Sequence, residues 1–310
     1  MFFNLFNFDP KPFNQGWLPA KDGHKVYFLQ YGNPNGIPVL SFHGGPGGRS
    51  RPKYAKLFNL KKYHFIQFDQ RGGGMSEYKN LCEHNTTSDL IADAKRLLNY
   101  LKIKTPIIVH GCSWGSTMAL LFAEAYPKLV QKIIVHSVFL ARPEDADWVN
   151  KDSERFYPDL WYEMRQKISN KDLSKENMRL LFSANEADNL KALSYLGSYE
   201  YKLGQIDPKF ELLTEVNEKF LTSSRIYFHY VNNKFFITDN QILDNIAKIK
   251  DIPTLIVHNR MDFCCMVKQA WDLHQAMPNS VLKINAGYGH SSPQLLKLVK
   301  TMLKEFLQRE

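Results

Sequence analysis

Short apolar runs alternate with helix-spaced patterns over the first 140 residues, and the same alternation resumes near residue 252. Ile37 to Phe42, Phe65 to Phe68, Pro106 to His110, Ile252 to His258 and Val281 to Ile284 each predict a strand that breaks into a loop. Ser116 to Ala123, rich in alanine and leucine, and the stretch after Pro293 predict helices. Strands separated by helices in this way specify an α/β architecture with a mostly parallel sheet. Between residues 141 and 240 the texture changes: Trp148, Trp161, Tyr195 and Tyr199 stand among charges at helical spacing, with few β-branched runs. That predicts a helical cap at 141–240 inserted into a core formed by 1–140 and 241–310.

The sharpest chemical feature lies where one strand meets one helix. Gly111-Cys112-Ser113-Trp114-Gly115 follows the apolar run directly and opens the helix, so Ser113 sits at the apex of a strand-turn-helix elbow. The flanking glycines let the strand and the helix pass closely. A serine hydroxyl is a poor nucleophile until a base takes its proton, and after such an elbow an acid and then a histidine follow in chain order. Asp262, in the loop after Ile252 to His258, and His290, in the loop after Val281 to Ile284, stand at the carboxyl ends of their strands. Open α/β sheets gather reactive groups at that edge. The rivals of Asp262 are worse placed: Asp251 precedes its strand, and Asp272 lies inside a helical pattern.

Acyl transfer also needs donors for the developing oxyanion. One is the backbone N–H of Trp114, next to the nucleophile. The second comes from His43-Gly44-Gly45-Pro46-Gly47-Gly48, with Gly45 the first choice and Gly44 the next. No Gly-Lys-Ser/Thr follows these glycines, which excludes a phosphate-cradling loop. A third glycine loop, Asp69-Gln70-Arg71-Gly72-Gly73-Gly74, suggests a charge-assisted Asp69–Arg71 pair fixing the chain beside the site.

These motifs, together with Asn85-Thr86-Thr87, Ser116-Thr117 after the elbow and Gly289-His290-Ser291, resemble the proline iminopeptidase (prolyl aminopeptidase) family of α/β-hydrolases. The resemblance runs from about Gly16 to the C-terminal helix and thins between about Asn150 and Asn240. It implies an α/β-hydrolase fold, a sheet of about eight strands flanked by helices, with an inserted helical cap. It also implies Ser113, Asp262 and His290 as nucleophile, acid and base, and Gly45 and Trp114 as the oxyanion hole. The implied activity is release of an N-terminal proline from short peptides, with neither metal nor cofactor. Of the cap's two family carboxylates for the substrate amine, one is best matched by Glu200 in Tyr199-Glu200. The other falls on Tyr227 in Arg225-Ile226-Tyr227, where the acid is missing. Phe139 keeps a family aromatic, while His136 stands where the family has arginine. An esterase or small-amide hydrolase on the same triad is therefore the alternative, and a non-catalytic binding protein is a distant third.

Composition narrows the partners. At 310 residues, 44% hydrophobic and 23% charged, the chain can bury a large core and carry an inserted subdomain. The net charge of +9 comes from scattered lysines, with no basic strip interleaved with aromatics, so nucleic acid is excluded. Cysteines at 82, 112, 264 and 265 match neither a disulfide framework nor a zinc-site spacing, which points to a reduced cytoplasmic setting. Cys264 or Cys265 is expected to line the pocket. The opening Met1 to Pro10 lacks a basic region and a cleavage site, and no stretch approaches the ~20 apolar residues of a membrane helix. A small peptide or other small molecule is the expected substrate, and oligomeric state is left open.

Overall fold

The computed structural model describes residues 9–168, 173–197, 199–204, 212–290 and 292–308, except for the side chains at 173, 174, 196, 197, 200 and 201. The aromatic N-terminal segment falls almost wholly outside that description.

An eight-stranded sheet forms the centre. Its strands are β1 (Asn14–Trp17), β2 (Tyr27–Gly32), β3 (Ile37–Phe42), β4 (Tyr63–Phe68), β5 (Ile107–Ser113), β6 (Val130–Val138), β7 (Thr254–Asn259) and β8 (Ser280–Asn285). They lie in the order β1-β2-β4-β3-β5-β6-β7-β8. β1 and β2 pair antiparallel, as do β2 and β4, and every later pairing is parallel. All six strands from β3 to β8 therefore end at one edge, and the glycine loops, the elbow and the candidate acid and base leave from that edge.

Side chains of successive strand residues point to opposite faces, and here both faces are covered. Leu40, Val109, Ile133, Val135 and Ile256 face one apolar cluster. Their neighbours Val39, Ile108, Ile134, Leu255 and Val257 face the other. The first face receives α1 (Thr87–Tyr100) and α2 (Trp114–Ala125). α1 starts at a capping box between Thr86 and Asp89 and buries Leu90, Ala94, Leu97 and Leu98, a one-sided helical stripe. α2 instead is buried on every side except at its last residue, because sheet and further helices enclose it.

Between β6 and β7 the chain is helical: α3 (Pro143–Asn150), α4 (Pro158–Lys167), α5 (Leu173–Leu181), α6 (Glu186–Ala192), α7 (Tyr199–Leu203), α8 (Glu218–Asn232) and α9 (Gln241–Asp244). α10 (Val267–Ala276) follows β7, and α11 (Pro293–Phe306) closes the second face with Leu295, Val299, Leu303 and Phe306. Ser292 caps α11 by accepting the Leu295 N–H at 3.0 Å. Among the described residues no helix is long and apolar enough to cross a membrane.

The expected Asp69–Arg71 pair is not formed. Arg71 turns away and grips Asp93 of α1 through Nε at 2.6 Å and Nη2 at 3.1 Å, with both side chains about 1% exposed. Asp69 accepts backbone N–H groups of Ser50 and Met75 instead. Its carboxylate thus ties two glycine loops together, where the short Asp69–Arg71 spacing had suggested a local ion pair. Removing Asp93 leaves a buried guanidinium without its main partner, so Asp93→Ala is expected to cost about 3 kcal/mol in urea unfolding. A loss below about 1 kcal/mol would show that Asp22 and Asp89, also within 4 Å of Arg71, suffice.

Candidate active site

Ser113 ends β5 and precedes α2 with φ 58° and ψ −131°, a left-handed conformation rare for a residue with a side chain. Close approach imposes it. A Cβ on Gly111 would lie 2.0 Å from the Gly115 carbonyl oxygen, and one on Gly115 would lie 2.2 Å from that of Phe42. Strand, helix and neighbouring strand thus meet with no room for side chains. Ser116 secures the turn, donating to the Ser113 carbonyl at 2.6 Å and accepting the Phe139 N–H at 2.9 Å.

The acid and base meet. His290 Nδ1 donates to Asp262 Oδ2 at 2.8 Å, while Asp262 Oδ1 accepts the N–H groups of Cys264 at 3.0 Å and Cys265 at 2.8 Å. Burial raises a carboxyl pKa, but the imidazole and these donors outweigh it and hold Asp262 below the ordinary carboxylate value. For His290 burial works downward, and the adjacent Asp262 carboxylate, followed by Cys265, carries it well above the ordinary histidine value. Among the described residues the hydrogen bond of the imidazole goes to Asp262 rather than to Ser113, with the Cys265 thiol beside the ring. Nucleophile–base hydrogen bonds commonly tighten only with substrate in place.

Three residues to which no chemical role was expected hold this pair in place. Ser137 Oγ donates to the His290 carbonyl at 3.1 Å, and Asn259 Nδ2 donates to that of Gly289 at 2.7 Å, so the histidine loop is fastened to β6 and β7. His258, fully buried, accepts the Val138 N–H on Nδ1 and donates from Nε2 to the Cys265 carbonyl, and burial lowers its pKa. It is a neutral strut behind Asp262.

The glycine loop reaches the elbow. A Cβ on Gly44 would stand 3.4 Å from Ser113 Cβ, and Gly45, at φ 140°, lines a pocket with Ser113. Gln70 links the parts: its N–H donates to His43 Nε2 at 2.9 Å and its side-chain amide to the His43 carbonyl at 3.1 Å. Its Oε1 accepts the Trp114 indole N–H at 2.8 Å. Trp114 opens α2, where backbone N–H groups have no partner inside the helix.

Phe139, Tyr227, Cys264 and Cys265 also line this pocket. Glu200 belongs to α7, but its side chain lies outside the described residues. Asp145, which no sequence motif marks, is a pocket-lining acid whose two oxygens each take an Arg142 nitrogen at 2.9 Å. His136 lies elsewhere, its ring 5.4 Å from that of His110 and 5.8 Å from that of Tyr54 in the second apolar layer.

Sheet order, elbow and the edge that gathers Ser113, Asp262 and His290 define an α/β-hydrolase, and the family described as alpha/beta hydrolase fold matches residues 37–293. The chain is 36% identical over 291 residues to the proline iminopeptidase of Arabidopsis thaliana, covering 91% of this chain and 76% of that protein. It is 34% identical over 312 residues to the proline iminopeptidase of Neisseria gonorrhoeae, covering 96% and 98%. This chain belongs to the proline iminopeptidase family. Among solved structures, one determined for Nitrososphaera gargenis carboxylesterases matches with TM-score 0.62 at 17% identity, covering 94% of this chain and 96% of that one. The esterase EaEST from Exiguobacterium antarcticum matches with TM-score 0.61 at 19% identity, covering 94% and 99%. Both likenesses are of fold.

Asp262→Asn is expected to lower kcat by roughly 10⁴-fold, since the imidazole loses the partner that sets its tautomer. A base works unprotonated, and the Asp262 charge raises the pH at which His290 gives up its proton. The acid limb of the pH–rate profile should therefore move to lower pH in this variant. A limb that stays in place would separate Asp262 from His290 titration.

Proposed function

We propose that this chain is a serine aminopeptidase that releases N-terminal proline from short peptides. The observation that carries the proposal is the Asp262–His290 pair at the sheet edge where β5 ends in Ser113, in a chain whose relatives, over most of their length, are proline iminopeptidases. His290 Nε2 takes the Ser113 proton as Oγ bonds to the scissile carbonyl carbon. Backbone N–H groups of Gly45 and Trp114 hold the oxyanion. Collapse breaks the C–N bond, and His290 gives its proton to the departing amine. Water, deprotonated by the same imidazole, then releases the acyl group and restores Ser113. Asp262 keeps Nδ1 protonated throughout.

The helical segment 141–240 serves as the cap over this pocket, with Phe139 and Tyr227 as apolar walls for the proline ring. Glu200 is the assigned anchor for the substrate amine. Asp145 is not that anchor, because Arg142 already occupies both its oxygens. A cytoplasmic setting suits the neighbouring thiols Cys264 and Cys265, which form no disulfide.

Tyr227 supports a second reading, an esterase or small-amide hydrolase. Its hydroxyl carries no charge near neutral pH, and one charge-assisted contact to a buried amine is worth ~1.5 to 3 kcal/mol. Initial rates on proline, alanine and leucine nitroanilides, N-acetylproline nitroanilide and a short-chain ester separate the two. The aminopeptidase reading predicts that proline is cleaved fastest and that acetylation lowers kcat/KM by at least roughly tenfold, the value of one such contact. Equal rates on free and acetylated proline, with a faster ester, would establish the second reading.

A further inference from the structure

We infer that Cys264 and Cys265, in the wall of the Ser113 pocket, form with His290 a binding site for one thiophilic divalent cation of the zinc class. One ligand atom from each of these residues lies within 4.8 Å of the other two. Two thiolates and an imidazole form a donor set that zinc accepts with a fourth position open to water. Sulfur ligands select such an ion over magnesium or calcium. Tetrahedral bonds of about 2.3 Å to sulfur and 2.0 Å to nitrogen place ligand atoms roughly 3.5 to 3.8 Å apart. The three side chains thus need to close by about 1 Å, within the reach of small side-chain rotations.

The supports for such an ion are already built. Asp262 Oδ1 holds the N–H groups of both cysteines, which fixes the turn that carries the thiols. Asp262 Oδ2 holds His290 Nδ1 at 2.8 Å, leaving Nε2 as the coordinating atom. A carboxylate on the far nitrogen is the usual support of a metal-bound histidine. Both cysteines line the pocket with Ser113.

On binding, each thiol releases its proton to solvent and its sulfur bonds the metal, with nothing oxidised or reduced. The Nε2 lone pair that would accept the Ser113 proton is then occupied, and hydrolysis stops. That shut-off rests on His290 being the base, whereas ion binding does not.

Cd²⁺ is the direct probe. Titrating the reduced full-length protein should raise thiolate-to-cadmium charge-transfer absorption that saturates at one ion per chain and disappears with excess EDTA. Zn²⁺ should compete for the site and inhibit nitroanilide hydrolysis over the same range. Cys264→Ser, Cys265→Ser and His290→Ala should each weaken Cd²⁺ binding by at least roughly 100-fold, since even a supporting partner of a metal ligand is worth about 10 to 100-fold. Circular dichroism checks that each variant is folded, and Cys82→Ser should leave the titration unchanged. Absence of the band in the wild-type protein, or its survival in a folded Cys264→Ser/Cys265→Ser double variant, overturns the site. A band that behaves as described in a protein without peptidase activity supports the site and counts against the proposed function alone.

Discussion

A carboxylate taken out of water must collect hydrogen bonds or give up its charge, and Asp262 meets that demand with both oxygens. Its side chain is fully buried, at a desolvation cost of several kcal/mol. Oδ1 takes two backbone donors from the turn that follows, and Oδ2 takes the His290 imidazole. The same charge therefore shapes one wall of the pocket, fixes the histidine tautomer and raises the basicity of the imidazole. His258 could have neutralised it, but its two ring nitrogens are committed to backbone partners, which leaves Asp262 to His290.

The elbow imposes a complementary constraint, set by space rather than charge. Gly111 and Gly115 mark where β3, β5 and α2 come too close for side chains, and the apex Ser113 is held in the left-handed region. Strain of that kind costs on the order of 1 to 3 kcal/mol and persists because its surroundings allow no alternative. Gln70 ties the two constraints to one frame by binding both the glycine loop and the Trp114 indole. The proposed nucleophile, oxyanion donors and base thus gather at one sheet edge, braced by residues to which no chemistry is assigned.

The elements legible in the sequence are those with a repeating pattern or a fixed order. Apolar runs foretold the strands, and the split of Ile133, Ile134 and Val135 between two faces explains why those runs are continuous rather than alternating with polar residues. The gathering of Ser113, Asp262 and His290 at one edge was readable because each stands at or after the end of a strand and the three come in one order. Bracing residues carry no such pattern. Gln70, Ser137 and Asn259 are single polar residues whose partners lie 27 to 153 positions away. The Arg71–Asp93 pair spans 22 positions, so the nearer Asp69 was the natural but mistaken partner. Asp145 lies in a helical stretch of mixed charge where nothing distinguishes a pocket-lining acid from a surface one.

The central claim is that Ser113 is the nucleophile of this edge. Treatment with a fluorophosphonate, followed by proteolysis and mass spectrometry, tests it directly, because such a reagent is captured only by a serine that a neighbouring base has activated. The account predicts one adduct per chain, on Ser113, with activity lost in proportion to labelling. An adduct on another residue, or an intact Ser113 in fully inactivated protein, would contradict it.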